Sequence, residues 1–378
     1  MIGKNSPSSS EKIAQSGTFL IQSDVGYNDS LLAIVFKIAL FLDKEIHIFA
    51  GNGRKHMNET SATIMILILC WLILAGLDAA VCGLLKLCAG VAFRQAFLWG
   101  LISLVIPPVA FVYGAFWERN RFEVESVELS FERLPESFDG YRIVHISDIH
   151  ARSFEGREEY LRNAVDQINE LKPDLIAFSG DLITLSPSEL NSTGPILSEL
   201  KATDGVISVL GNHDYCQYTK VDQATKARYL TELIEKQKQM GWNLLLNQNQ
   251  IIARGRDTIA VIGVENTSTS KYFPSKGKLT EASENTEGKF RILLSHDPLH
   301  WEAEIVGKDY PLTLSGHTHA MQMTFFGWTP SSLIFKQSKG LYSIADQHLY
   351  VNIGLGETIF PARIGAAPEI TLITLHKK

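Results

Sequence analysis

Tyr141-Arg142-Ile143-Val144-His145-Ile146-Ser147-Asp148-Ile149-His150 is a short alternating strand that runs straight into a carboxylate and an imidazole, and the same grammar returns four times downstream in this 378-residue chain. The apolar run 175–179 ends at Gly180-Asp181, and 206–210 ends at Gly211-Asn212-His213-Asp214. The run 290–295 ends at His296-Asp297, and 312–315 ends at Gly316-His317-Thr318-His319. Between the first two lies a helical stretch, 157–172, with Leu161, Val165, Ile168 and Leu171 at helical spacing. Further strands are expected over 122–131, by its alternation, and over 259–264. Strands alternating with helices predict an α/β fold.

In such a fold the carboxyl ends of neighbouring strands open on one crevice, so side chains delivered by five strand ends can surround one point. Five of the eleven histidines fall in these motifs. Asp148 and His150, two apart in an extended segment, would point the same way and grip one ion. The glycines before Asp181, Asn212 and His317 would clear space where backbone turns beside a cation. Asp181 offers a carboxylate able to bridge two ions, and Asn212 adds an amide oxygen without further charge. An oxygen and nitrogen set without thiolate favours Mn, Fe, Zn or Co over a structural zinc site. Asp148, Asp181, Asn212, His150, His296, His317 and His319 are too many for one tetrahedral ion and suit two ions about 3.5–4 Å apart.

Asp148-x-His150, Gly180-Asp181, Gly211-Asn212-His213-Asp214, His296 and Gly316-His317-x-His319, in that order, resemble the calcineurin-like metallophosphoesterase superfamily. The resemblance spans 141–319, and the stretches 350–356 and 368–372 look like its bacterial membrane-linked subgroup. It implies a four-layer αββα sandwich, two sheets face to face with helices outside. It also implies two divalent metal ions (Mn, Fe or Zn), with Asp148, His150 and His319 holding one, Asn212, His296 and His317 the other, and Asp181 bridging. His213 would protonate the leaving oxygen, with Asp214 expected to hold it or to cap the following helix. The chain departs from the family at Thr184, where many relatives carry a second acid that orients the catalytic histidine. It departs again at Ala320 and Met321, where relatives of the subgroup often carry glycines before Gln322.

The remainder divides by charge. Of 35 basic and 41 acidic residues, only Asp78, Lys86 and Arg94 fall within 62–117, whereas the chain as a whole has a mean hydropathy of +0.04 and a net charge of −6. The segments 64–85 and 95–117 each match the ~20 residues that cross a bilayer as helix. They predict a transmembrane hairpin over 58–117, kinked at Pro107-Pro108, followed by the hydrolase domain over 118–378. Asp78 is expected at an interface or against the partner helix. Residues 1–57 are an extension of doubtful authenticity, since Met57-Asn58-Glu59-Thr60 runs directly into the apolar block and makes Met57 the expected native start. Arg54, Lys55, Arg119 and Arg121 against Lys86 and Arg94 favour both ends in the cytoplasm, hence a multi-pass inner-membrane protein with a cytoplasmic catalytic domain; from Met57 onward the balance is two against two. Three of four cysteines (Cys70, Cys82, Cys88) lie in the apolar block, away from Cys216, so no disulfide framework is expected.

The net negative charge, with no basic run, argues against nucleic acid as a partner. The partners expected are a membrane and a phosphoester or pyrophosphate substrate. A lipid-linked one, of the UDP-2,3-diacylglucosamine type that the family includes, stands beside a soluble phosphoester and beside a non-catalytic scaffold. His145 reads as a core histidine and His300 as a helix-start or mouth residue. Asp297 reads as an acid supporting His296 or a cap, and Arg363 as a candidate phosphate clamp. Met321-Gln-Met-Thr-Phe325-Phe326-Gly-Trp328, with Leu333-Ile-Phe335, is unusually apolar for a loop beside a hydrolytic centre. It reads either as sheet packing or as a surface that dips into the bilayer or receives acyl chains.

Overall fold

The computed structural model describes residues 59–378 apart from 91, 270–272 and 359; the expectation for residues 1–57 and Met57 falls outside the described residues. The alternation read from the sequence becomes two six-stranded sheets. In the first, β1 (Glu123–Phe131), β2 (Tyr141–Ile146), β3 (Leu175–Phe178), β4 (Val206–Ser208), β5 (Asn243–Leu244) and the last strand, β12 (Glu369–Lys377), lie in the order β1-β12-β2-β3-β4-β5. In the second, β6 (Gln248–Arg254), β7 (Asp257–Gly263), β8 (Phe290–Leu294), β9 (Leu312–Ser315), β10 (Gly340–Ile344) and β11 (Gln347–Val351) lie in the order β10-β11-β9-β8-β7-β6. Within each sheet four neighbouring strands are parallel: β2 to β5, and β7, β8, β9 and β11. Their carboxyl ends therefore face one way.

Period-two burial assigns the faces. Ile259 and Val261 of β7 and Phe290, Ile292 and Leu294 of β8 point between the sheets, where they meet Tyr141, Ile143, Leu175 and Ile373. Ala260, Ile262 and Leu293 point outward under Leu279, Ala282, Trp301 and Ile305. Val144 and Ile146 face outward on the first sheet under Leu161, Val165, Ile168, Ile196 and Leu233. The layers are thus helix, sheet, sheet, helix. The last is thin: one short helix (Leu279–Ala282) and the turn Trp301–Ile305. His145 shares the inter-sheet face with Tyr141 and Ile143. Fully buried, it bonds Ser179 Oγ at 2.9 Å, a core histidine as expected.

Before the sheets come α1 (Glu59–Ala89), α2 (Phe93–Gly100) and α3 (Ile106–Phe116). Leu67–Cys88 and Ala96–Asn120 are long and apolar enough to cross a membrane. Cys82 and Gly114 alone are buried among the described residues of α1 to α3, so these helices expose apolar side chains on every face, the surface of a lipid-embedded segment. The second segment is right-handed helix throughout but not regular: a 3₁₀ stretch, Leu101–Val105, joins α2 to α3, and Pro107 and Pro108 follow at once in the first turn of α3. Asp78 turns to the partner segment and accepts from Ser103 Oγ at 2.5 Å, while Trp71 Nε1 donates to Leu104 O at 2.6 Å.

α3 docks on the two-sheet domain. A Cβ on Gly114 would lie 2.4 Å from Arg363 O, so only glycine allows the approach. Phe111 meets Phe360 at 6.4 Å, and Arg119 Nη1 donates to Glu357 Oε1 (2.8 Å) and Pro361 O (3.0 Å). Arg157 Nη1 shares Glu357 Oε1 at 3.1 Å.

Candidate metal centre

The site is built where β2, β3, β4, β8 and β9 end, as the sequence motifs require. The local backbone differs from the expected extended Asp-x-His. Asp148 (φ 49), His150 (φ 42), Asp181 (φ 60), His317 (φ 74) and His319 (φ 50) all sit in left-handed conformations. Non-glycine residues adopt that region only when their surroundings impose it, and such positions cluster at functional sites. Gly180, at φ 107, serves both the turn and close approach, whereas Gly211 and Gly316 serve close approach. A Cβ on Gly211 would lie 2.2 Å from Asp181 Oδ1, and one on Gly316 would lie 2.3 Å from Asp148 Oδ2. Both ligand loops need a bare backbone neighbour.

All seven expected ligands converge. Asp148, His150 and His319 form one group, with His319 Nε2 3.2 Å from Asp148 Oδ1 and 3.1 Å from His150 Nε2. Asp181, His296 and His317 form another, with His296 Nε2 3.1 Å from Asp181 Oδ2 and 3.2 Å from Asn212 Oδ1. Asp181 Oδ2 is also 3.7 Å from His150 Nε2, so its carboxylate lies between the groups.

The donor set fits cations. Asp148 Oδ1 and His317 Nδ1 are buried without a hydrogen-bond partner, and two imidazole nitrogens face each other at 3.1 Å with room for one proton between them. Burial opposes charge on His296, yet the Asp181 carboxylate overrides it and raises the imidazole to about 10, so a proton there does what a cation would do. Burial likewise opposes ionisation of Asp148, but the histidines, His319 first, hold it well below the usual carboxylate range.

Supporting contacts fix each ligand. His296 Nδ1 faces Ser179 O at 2.9 Å and donates to it, leaving Nε2 for the site. Asn212 Nδ2 donates to Tyr218 Oη at 2.9 Å, which turns Oδ1 inward. Asp214 is not placed as a partner of the His213 imidazole. Its buried carboxylate accepts from the backbone N–H groups of Asp181, Leu182, Ile183 and Gly211 at 2.9–3.1 Å and so ties the Asp181 loop to the Asn212 loop. Burial, then the charge of Asp181, raise that carboxyl to about 7 against those donors. His213, close to Asp181 and His150, directs Nδ1 at Thr184 O at 3.0 Å. The carbonyl of the residue that replaces the family's second acid thus orients this histidine. Its ring lies 4.2 Å from that of Tyr218.

One expectation changes, at Arg363, while for His300, at the start of the Trp301–Ile305 turn, and for Asp297 one of the two offered readings is realised. Arg363 is no phosphate clamp: it is fully buried, and its guanidinium donates to the carbonyls of Ile353 (3.0 Å), Gly354 (3.0 Å), Gly356 (3.2 Å) and Ala366 (3.0 Å). The loop it gathers backs the first ligands, Gly356 N–H donating to Asp148 O at 2.8 Å. His300 is buried, bonded to Ser295 Oγ (2.8 Å) and Glu304 (3.0 Å), and does not line a mouth. Asp297 caps the next turn, accepting from Leu299 N–H at 2.9 Å. Sequence reasoning missed the rings around the centre: Phe273 and Phe335 meet His317 edge-on at 4.9 and 5.4 Å. Only Phe335 had a signal, the apolar segment that contains it.

Residues 141–321 match the model of the calcineurin-like phosphoesterase family. The chain is 31% identical over 296 residues to an uncharacterized metallophosphoesterase, YkuE, of Bacillus subtilis, covering 75% of this chain and 97% of that one. It is 33% identical to a transmembrane protein with metallophosphoesterase domain of Danio rerio, over 76% of this chain and 64% of the relative, just under two thirds of that protein's length. It is 26% identical to the UDP-2,3-diacylglucosamine pyrophosphatase LpxG of Chlamydia trachomatis serovar D, over 71% of this chain and 94% of that one.

Proposed function

The chain belongs to the calcineurin-like metallophosphoesterase family, metal-dependent hydrolases of phosphoric esters that use two divalent ions, and on that premise we propose that it cleaves a phosphoester or pyrophosphate bond of a lipid-linked substrate at the membrane surface. The observation that carries the reading is the convergence of seven oxygen and nitrogen ligands around two points with Asp181 between them. Asp148, His150 and His319 would hold one ion and Asn212, His296 and His317 the other; ions held there would supply Lewis-acid activation of water and charge neutralisation at the phosphoryl oxygens.

The chain's own residues do the rest. With Nδ1–H donating to Thr184 O, His213 keeps Nε2 to carry a proton to the leaving oxygen, a role worth about 10²–10⁴ in rate. Tyr218 holds both the His213 ring and the Asn212 amide in place. Asp214 keeps the two ligand loops in register. Phe273 and Phe335 wall the His317 side and limit water there.

Membrane association follows from the two long apolar segments and from the transmembrane relative. The lipid-linked substrate is supported by that anchor and by likeness to LpxG. Two spans with both ends on the cytoplasmic side of the inner membrane complete the proposal, a choice supported when Arg54 and Lys55 are counted with Arg119 and Arg121, and evenly balanced from Met57 onward. The test is hydrolysis of a panel of lipid-linked and soluble phosphoesters by detergent-solubilised protein, with and without Mn. We expect metal-dependent turnover that favours lipid-linked members. His213→Asn should keep its metal yet lose at least about 10² in rate, and lose least with a good leaving group such as p-nitrophenolate. Preference for soluble esters would shift the reading to an anchored enzyme with a soluble substrate, and absence of metal-dependent turnover would leave a scaffold.

A further inference from the structure

We propose that the hairpin 325–328 is a second membrane contact, an aromatic wedge seated in the interfacial zone of the bilayer that holds α1 to α3. The proposal rests on the reading of those helices as a membrane anchor. Phe325 N–H donates to Trp328 O at 2.7 Å and Trp328 N–H donates to Phe325 O at 3.0 Å, which closes a two-residue turn. Both central residues are left-handed, Phe326 at φ 50 and Gly327 at φ 84. A turn of that kind favours Asn-Gly at its tip. Here the first tip position holds phenylalanine, in a conformation that a large side chain adopts reluctantly. Among the described residues nothing covers it: Phe326 is fully exposed, and Phe325 and Trp328 are 45% and 49% exposed. Neither turn preference nor core packing accounts for three aromatic side chains presented together at one tip.

The position of the turn says what covers it. Its root pairs with the loop on which the anchor docks: Met323 bridges Ile364, and Thr324 N–H donates to Ile364 O at 2.8 Å. On that same loop Gly114 of α3 approaches Arg363 O and Ile364 Cγ1. The tip is therefore one loop away from the final turns of α3, where Tyr113, Phe116 and Trp117 are also exposed. Aromatic rings gather at the boundary between headgroups and acyl chains, and both sets hang on the one loop at Arg363 and Ile364. No charged residue occurs from Met321 to Phe335, so nothing in the segment resists entry. That uncharged stretch ends with Phe335 against the candidate ligand His317, so one uncharged run of chain joins the proposed bilayer contact to the candidate metal centre.

The full chain would be placed in nanodiscs of phosphatidylcholine, plain or brominated near the top of the acyl chains. The emission lost on Trp328→Phe isolates the signal of that one indole. We expect that signal to be blue-shifted, quenched by brominated lipid and shielded from acrylamide. A signal quenched by acrylamide and indifferent to bromine overturns the proposal. So does a signal that becomes shielded only when a lipid-linked substrate is added, which would make the tip an acyl-chain site instead. In a second arm, joint replacement of Phe325, Phe326 and Trp328 by serine should lower turnover of a bilayer-embedded substrate while hydrolysis of bis(p-nitrophenyl) phosphate persists, which shows that the variant folds. Equal loss on both substrates counts against the wedge. The two readings separate cleanly. Bromine quenching without turnover of any lipid-linked ester sustains the wedge and defeats the lipid-linked substrate, and the reverse pattern does the opposite.

Discussion

Glu369 shows how one buried side chain records the balance of forces in this fold. Its Oε1 accepts from Tyr350 Oη at 2.8 Å and Thr371 Oγ1 at 2.6 Å, and Asn352 Nδ2 lies at 3.3 Å. Burial raises its carboxyl nonetheless, to about 7, because those neutral donors do not replace water around a charge. The folded chain binds this proton more tightly than the unfolded chain, whose carboxyl titrates near 4.5. The stabilisation is therefore fully present below pH 4.5 and is lost as pH rises through about 7, an effect on the order of 3 kcal/mol. Glu369→Gln should flatten that part of the profile, as measured by the unfolding midpoint in detergent between pH 5 and pH 8. No feature of the sequence around Glu369 announced it, since burial of a carboxylate is set by strands far apart in the chain. The convergence of the candidate ligands was legible for the opposite reason: each lies within a few residues of a strand end, and the fold's own geometry does the gathering. Thr184 was read as a gap in the family pattern, yet its backbone supplies the missing acceptor, and a carbonyl carries no signature in sequence.

At the scale of an element, the turn after the last ligand departs most from what its residues prefer. His319, Ala320, Met321 and Gln322 are left-handed in succession, at φ 50, 50, 49 and 57. Each such residue costs about 1–2 kcal/mol relative to the right-handed form. Relatives with glycine here avoid that cost, and this chain meets it by clamping the turn from outside. Gln322 Nε2 donates to Phe360 O and Ala362 O, both at 2.7 Å, and its Oε1 accepts from Thr358 N–H at 3.0 Å. Met321→Gly should raise stability by about 1 kcal/mol, the relief of strain less the entropy glycine adds to the unfolded chain, measurable as an upward shift of the unfolding midpoint. Ala320 is a poorer choice because its methyl packs with Ile353 and Ala366. Element assignment from periodicity held for the buried parallel strands and for the helix Glu158–Glu170, whose patterns are strong. It did not foresee the helix Gln223–Gln239, which buries only Leu233 and Gln237 and so carries little periodicity, or the 3₁₀ stretch just before the paired proline of α3.

For the whole molecule, the decisive contact is Gly114 against Arg363 O. Gly114→Leu should force α3 off the loop 357–366, and hydrogen exchange there should rise. The same change at Gly83, which has open space around it, should leave the loop protected. Charge distribution alone divided the chain into an apolar part and a hydrolytic part. That the two parts are fastened together was not readable, because the seam consists of backbone approach, one glycine and the pair Arg119–Glu357. The seam has a mechanical consequence. A span tilts when a bilayer is thinner than its apolar length. If α1 to α3 anchor the chain as proposed, the strand ends that carry the candidate ligands, joined to α3, would follow that tilt, and membrane thickness would gauge the angle at which the candidate metal centre faces the lipid surface.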